Sequence, residues 1–271
     1  MGISKIITSF DGAKLRYIEY NSPNHVGWII LLHGLGGDAQ AWKEIQKTMS
    51  ENGYSSIALD FRGHGASDDP IRIDDCTIDC FVKDVDFLVS KLGIKSAVLV
   101  GHCFGGVVSI DCACSRFNWL KKLVVVSSTY MSPIPFLSIK IKRLFSDILK
   151  RFVYMFPAGR KYYNRNYRPY VGTGDYNIFR LISDIRSTDW RSYFLVLLNM
   201  LTFDIGDKIK MVDLPTLIVC GEKDRVFSTK VSKRINEKIN KSKLVILPND
   251  NHVLLLNDPR GLSNEIKNFL R

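Results

Sequence analysis

Ala97-Val98-Leu99-Val100-Gly101-His102-Cys103-Phe104-Gly105-Gly106 is the stretch on which the fold turns. Its first four residues form a short, wholly apolar run of the kind found inside a parallel sheet that is covered on both faces. A helix-like run follows from Phe104 to Arg116, so Cys103 is expected on a sharp strand-to-helix turn. Such a turn forces its central residue into a strained backbone conformation, and only neighbours as small as Gly101 and Gly105 leave room for it. The Cys103 side chain then projects from the carboxyl edge of the sheet. The next helix points its amino end at the same place, where its dipole and free N–H groups favour a thiolate or a developing oxyanion.

Outward from this turn, short apolar runs alternate with helix-length segments, the mark of an α/β fold with a mostly parallel sheet flanked by helices. Trp28 to Leu32, Ser56 to Leu59, Ala97 to Val100, Leu123 to Val126, Leu214 to Cys220 and Leu244 to Leu247 read as buried strands. Ile6 to Phe10 and Leu15 to Tyr20 read as an antiparallel pair around Asp11-Gly12, which completes eight strands. Helices are expected over Ala39 to Asn52, Asp79 to Leu92, Phe104 to Arg116, Ser228 to Asn240 and Pro259 to Leu270. The rhythm breaks over 132–207, which reads as a helical cap inserted into a core formed by 1–131 and 208–271.

Composition bounds the function. The 271 residues are 46% hydrophobic, enough for a sizeable core and against whole-chain disorder. No apolar run approaches the roughly 18 residues that span a bilayer, and no secretion signal is evident, so a cytoplasmic protein without stable membrane insertion is expected. Met1-Gly2 lacks the Ser or Thr that a myristoylation site wants at position 6, where Ile6 stands. The six cysteines show no paired CxxC spacing and read as reduced thiols; Cys112, Cys114 and Cys220 read as buried small hydrophobes. His33, His64 and His252 are widely spaced with no carboxylate cluster between them, so neither a metal nor another cofactor is expected.

Four loops resemble those of the α/β-hydrolase fold family, in register after the right strands. Gly101 to Gly106 resembles its nucleophile elbow, with Cys103 where most members carry serine. His33-Gly34-Leu35-Gly36-Gly37 resembles its oxyanion loop, and Asp60 to Ser67 a loop common in capped members. Gly221-Glu222-Lys223-Asp224 stands where the family places its acid, and His252 follows the final strand. The resemblance implies an esterase or thioesterase-like hydrolase with Cys103 as nucleophile, His252 as base and Asp224 as acid. Asp250 is the competing acid. Backbone N–H groups of Leu35 and Phe104 would form the oxyanion hole. Dehalogenase and epoxide hydrolase readings need a carboxylate at the elbow, which position 103 lacks. An acyltransferase or cyclase using the same acyl-enzyme, and a non-catalytic receptor on this scaffold, stay open.

The cap carries the clues to substrate. Trp42, near the oxyanion loop, and Phe136, Phe145, Phe152 and Phe156 of the cap are expected to line a channel for the acyl group of an ester or thioester. Lys plus Arg number 38 against 27 Asp plus Glu, a net +11, and much of the excess lies in the cap. From Ser138 to Pro169 there are nine basic residues against the single acid Asp147. Lys140, Lys142, Arg143, Lys150 and Arg151 are therefore expected to dock an acidic partner, with acyl carrier protein, coenzyme A or an anionic membrane surface as the choices. No nucleic-acid module is present. In general features the chain is similar to pimeloyl-acyl carrier protein methyl ester esterases.

Overall fold

The architecture comes from a computed structural model that describes residues 2–132, 137–155 and 165–271. Eight strands, β1 (Ile3–Thr8), β2 (Lys14–Tyr20), β3 (Gly27–Leu32), β4 (Tyr54–Leu59), β5 (Ala97–His102), β6 (Leu120–Val126), β7 (Thr216–Gly221) and β8 (Ser242–Leu247), form one sheet in the order β1-β2-β4-β3-β5-β6-β7-β8. The β1–β2 and β2–β4 pairs are antiparallel, and every other pair is parallel. The order doubles back between β3 and β5, so the turn after β5 opens beside the turn after β3, and strand ends from distant parts of the sequence meet at one edge.

The helices are α1 (Lys43–Glu51), α2 (Ile78–Lys91), α3 (Phe104–Cys114), α4 (Ile139–Tyr154), α5 (Ile178–Ser187), α6 (Trp190–Thr202), α7 (Thr229–Lys238), the short α8 (Leu254–Asn257) and α9 (Pro259–Leu270). Alternation along β3 shows why the sheet is covered on both faces. Ile30 and Leu32 pack in one cluster with residues of α2 and α3, whereas Ile29 and Leu31 pack in a second with residues of α1 and α9. Cys112 and Cys220 are wholly buried and Cys114 almost so, with Cys112 and Cys114 in the first cluster.

Several expected elements differ at their ends, β6 for one starting at Leu120 rather than Leu123, and two of the differences have a local cause. The amino-terminal strand runs over Ile3–Thr8, three residues early, because the turn takes all of Ser9 to Ala13, with the Ser9 N–H donating to the Ala13 carbonyl at 2.7 Å. The helix expected from Ala39 begins as a 3-10 turn, Ala39–Trp42, before α1. Its amino end is capped by the Asp38 carboxylate, which accepts from the Gln40 N–H.

Between β6 and β7 lie α4, α5 and α6, joined to the rest at identifiable points. An isolated bridge from Met131 to Asp204 ties the two connecting segments, and a second from His64 to Thr188 ties the loop after β4 to the residues just before α6. Gly63, at φ 76°, lies so close to α6 that a Cβ there would meet Ser192 Oγ at 2.2 Å. The loop itself is fixed by charge: Asp60 accepts from Arg16 Nε at 2.6 Å, and Arg62 donates to both oxygens of Asp84.

The tightest packing is at the β5–α3 turn. A Cβ on Gly101 would stand 2.2 Å from the Gly105 carbonyl oxygen, and one on Gly105 would stand 2.3 Å from that of Leu32. Backbone oxygens cannot swing aside as side chains do, so Gly105→Ala is expected to destabilise the fold by roughly 3 kcal/mol or more. Gly174→Ala, where a Cβ meets nothing within 4 Å, is expected to stay within about 0.5 kcal/mol of the parent. Urea unfolding of the two variants checks the contrast.

Candidate active site

Cys103 sits between β5 and α3 at φ 52° and ψ −115°, a region that non-glycine residues avoid. The surroundings hold it there. Its N–H donates to the Val126 carbonyl at 3.0 Å, and its own carbonyl accepts from the N–H groups of Gly106 and Val107 and from Ser128 Oγ at 2.6 Å. The loop after β3 closes over it: a Cβ on Gly34 would lie 3.0 Å from that of Cys103.

The turns after β7 and β8 bring the other two residues in. His252 Nδ1 lies 3.0 Å from Asp224 Oδ2, while Asp224 Oδ1 accepts from the N–H groups of Val226 at 2.9 Å and Phe227 at 2.8 Å. This resolves the competition between the two carboxylates, since Nδ1 is engaged by Asp224 rather than Asp250. Burial works against a charged imidazole at His252, but the Cys103 sulfur and the Asp224 carboxylate outweigh it and push its pKa up to about 10. Burial likewise opposes the Asp224 carboxylate, yet the bond to His252 leads a set of contacts that holds its pKa below the usual value.

The neighbouring histidines do structural work. His33 is wholly buried and pushed down to about 3 by burial; its Nδ1 contacts the Gly34 carbonyl at 2.8 Å and its Nε2 accepts from the Phe61 N–H at 3.1 Å. His102, also lowered to about 3, chiefly by burial and then by His252, donates from Nε2 to the His252 carbonyl at 2.9 Å. The neutral rings therefore brace the oxyanion-type loop and the histidine loop respectively.

A cavity of about 100 Å³ opens beside Cys103 and His252 and is lined also by Leu35, Leu255, Tyr167 and Arg180. The N–H groups of Leu35 and Phe104 have no hydrogen-bond partner among the described residues, as the first turn of a helix and a loop aimed at a ligand both leave them.

The expected channel residues lie elsewhere or cannot be placed. Trp42 is wholly buried in the core cluster with Ile18, Ile29 and Met49, and does not line the cavity. Phe145 and Phe152 are each 57% exposed, because α4 turns Lys142, Ser146 and Val153 inward. Phe136 and Phe156 lie outside the described residues. Of the basic set, Lys140, Arg143 and Arg151 are exposed, but Lys142 is buried and Lys150 is mostly covered, which withdraws both from a docking surface.

Several cap residues that sequence reasoning did not single out for the site shape it. Asp175 accepts from the His252 N–H at 2.8 Å through Oδ1 and from the Arg225 N–H at 2.8 Å through Oδ2. The Thr173 carbonyl accepts from both Asn251 and Asn257, so the loop before α5 clamps the histidine loop. Arg165, almost wholly buried, donates to the Gly36 carbonyl at 2.7 Å, pairs with Asp184 and stacks over Tyr167. Arg180 lines the cavity and donates to the Asp175 carbonyl, while its buried Nη1 has no partner. Arg165, Thr173 and Asp175 stand in irregular cap segments, and Arg180 in the first turn of α5, where no motif marks them.

The sequence profile of the Alpha/beta hydrolase family matches residues 29–265. The chain belongs to that family. Among curated relatives, this α/β-hydrolase is 32% identical to the AB hydrolase superfamily protein YfhM of Bacillus subtilis over 126 residues, 43% of this chain and 44% of that protein. It is 25% identical to a proline iminopeptidase of Saccharolobus solfataricus, over 96% of this chain and 89% of the relative. Among solved structures, a thioesterase domain from the curacin biosynthetic pathway superposes with a TM-score of 0.79 at 18% identity, covering 98% of this chain and 99% of that one. Among the described residues there is no group of three or more His, Cys, Asp or Glu placed to hold a metal ion, and no helix long and apolar enough to cross a membrane.

The His252 environment makes stability depend on pH. Its pKa is raised from 6.5 to about 10 on folding, so the stabilisation is fully present below pH 6.5 and is lost as pH rises through about 10. Each tenfold gain in proton affinity corresponds to about 1.4 kcal/mol, which puts the effect on the order of a few kcal/mol. His252→Gln is therefore expected to be less stable than the parent by the widest margin near pH 6 and by a shrinking margin up to about pH 10. Denaturant titrations across that range measure it, and a constant margin would contradict the charged pair.

Proposed function

We propose that this α/β-hydrolase cleaves a carboxylic ester or thioester through an acyl-enzyme on Cys103. The observation that carries the reading is the turn itself: a cysteine held at φ 52° at the amino end of α3, facing a histidine whose ring is braced by a buried carboxylate. A structural cysteine has no need of a strained backbone, a basic partner or unpaired N–H groups nearby.

In this mechanism the Cys103 thiolate attacks the acyl carbon, and the carbonyl electron pair moves to the oxygen, which the Leu35 and Phe104 N–H groups receive. Collapse of the tetrahedral intermediate breaks the bond to the leaving alcohol or thiol, which takes its proton from the His252 imidazolium. The thioester so formed is attacked by water, whose proton passes to the now neutral His252. Release of the acid restores the thiolate and imidazolium pair. Asp224 holds the ring with Nε2 free for these transfers and stabilises its positive form. Similarity to a thioesterase domain and to an iminopeptidase supports acyl transfer to water as the reaction class.

The pH dependence separates this mechanism from one with a neutral nucleophile. In the parent, kcat/KM is expected to hold on the alkaline side and fall as His252 loses its proton near pH 10. In Cys103→Ser the hydroxyl stays neutral and His252 must be unprotonated to act as base, so residual activity is expected to rise with pH. Cys103→Ala is expected to lose about a thousandfold or more in kcat/KM. Steady-state rates on p-nitrophenyl esters across the pH range test this, and identical profiles for the parent and Cys103→Ser would contradict it.

A further inference from the structure

Helix α4 is amphipathic, with its apolar side turned away from the protein. Successive helical residues rotate by about 100°, which divides α4 into three arcs. Ser146, whose Oγ donates to the Leu198 carbonyl of α6, lies with Lys142 and Val153 on the buried arc. Ile141, Leu144, Phe145, Ile148 and Met155 share a second arc and are 54%, 66%, 57%, 59% and 82% exposed. Lys140, Arg143 and Arg151 occupy the third together with Asp147, beside the apolar arc, and all four are exposed. Ordinary cap helices turn their bulkiest side chains inward. Here the inward arc carries a serine and a lysine.

We propose that α4 is a docking face for an anionic lipid surface, lying flat in the headgroup region without spanning the bilayer. The chemistry selects this occupant. A convex row of large apolar side chains suits insertion between lipid headgroups, and cations along its edge match negatively charged lipid. A second copy of the chain would bury the apolar arcs against each other only by drawing two rows of Lys and Arg together, on a protein of net charge +11. An acidic carrier protein would pair with the cations yet set its charged surface against five large apolar groups. Among the described residues Lys150 of α4 is 3.9 Å from Asp147, while Lys140, Arg143 and Arg151 are exposed.

The experiment is co-sedimentation of the full chain with phosphatidylcholine vesicles, with and without phosphatidylglycerol, at low and high salt. Binding to the anionic vesicles is expected to exceed that to neutral ones by about tenfold or more and to weaken at high salt. Leu144→Asp with Ile148→Asp changes only exposed side chains, so the fold should be retained by circular dichroism while vesicle binding falls by about tenfold. Failure of the parent to sediment with either vesicle overturns the proposal, as does equal binding by the double variant. So does sedimentation equilibrium showing a dimer that the double variant breaks, or capture of the parent by added acyl carrier protein in preference to vesicles. None of these readouts requires turnover, so they stand apart from the test of the acyl-enzyme.

Discussion

The rest of the structure depends on the close approach of three backbones at the β5–α3 turn. Gly101, Gly105 and the end of β3 come within a distance that admits no Cβ, and this forces Cys103 into a positive φ. The cost of that conformation, of order 1–3 kcal/mol, is borne by the packing of β5 and α3 against both core clusters and by three hydrogen bonds to the Cys103 carbonyl. From this constraint the placement of the other groups follows. The loop after β3 lies over the cysteine, α3 aims its free N–H groups at it, and the turns after β7 and β8 lie at the same sheet edge.

Electrostatics then differentiates three histidines, His33, His102 and His252, into distinct roles. Burial above all drives His33 and His102 to the neutral form, and each is held by ring-nitrogen bonds to the backbone. His252 is equally enclosed, yet the Cys103 sulfur and the Asp224 carboxylate beside it reverse the effect. The same degree of burial thus yields a neutral brace or a proton donor according to what stands within hydrogen-bond reach. Asp175 extends this control into the cap, because the segment that covers the cavity also fixes the backbone of His252.

Much of this was legible in the amino-acid sequence, for reasons that also explain the gaps. Buried strands between glycine-rich loops announce a parallel sheet, and the resemblance of the loops after those strands to the hydrolase family's marks Cys103, Asp224 and His252 as a set. The register of β1 was misjudged because an edge strand carries little burial signal; five of its six residues are exposed. Trp42 was misread because an aromatic residue near a site looks the same whether it faces a ligand or the core. In α4 the period reveals that one side is apolar, but the direction that side faces is decided by α6, whose approach favours the small Ser146. Asp175 and Arg165 stand in loops with no period and Arg180 in the first turn of α5, and only tertiary contact reveals their part in the site.

The proposed reaction passes through a covalent intermediate at one sulfur atom, and rapid-quench intact-protein mass spectrometry with a p-nitrophenyl ester tests it most directly. An acyl mass increment that maps to Cys103, decays with product release and is absent from Cys103→Ala is the predicted result. Product release undiminished in Cys103→Ala, or an adduct that maps to another residue, would contradict it.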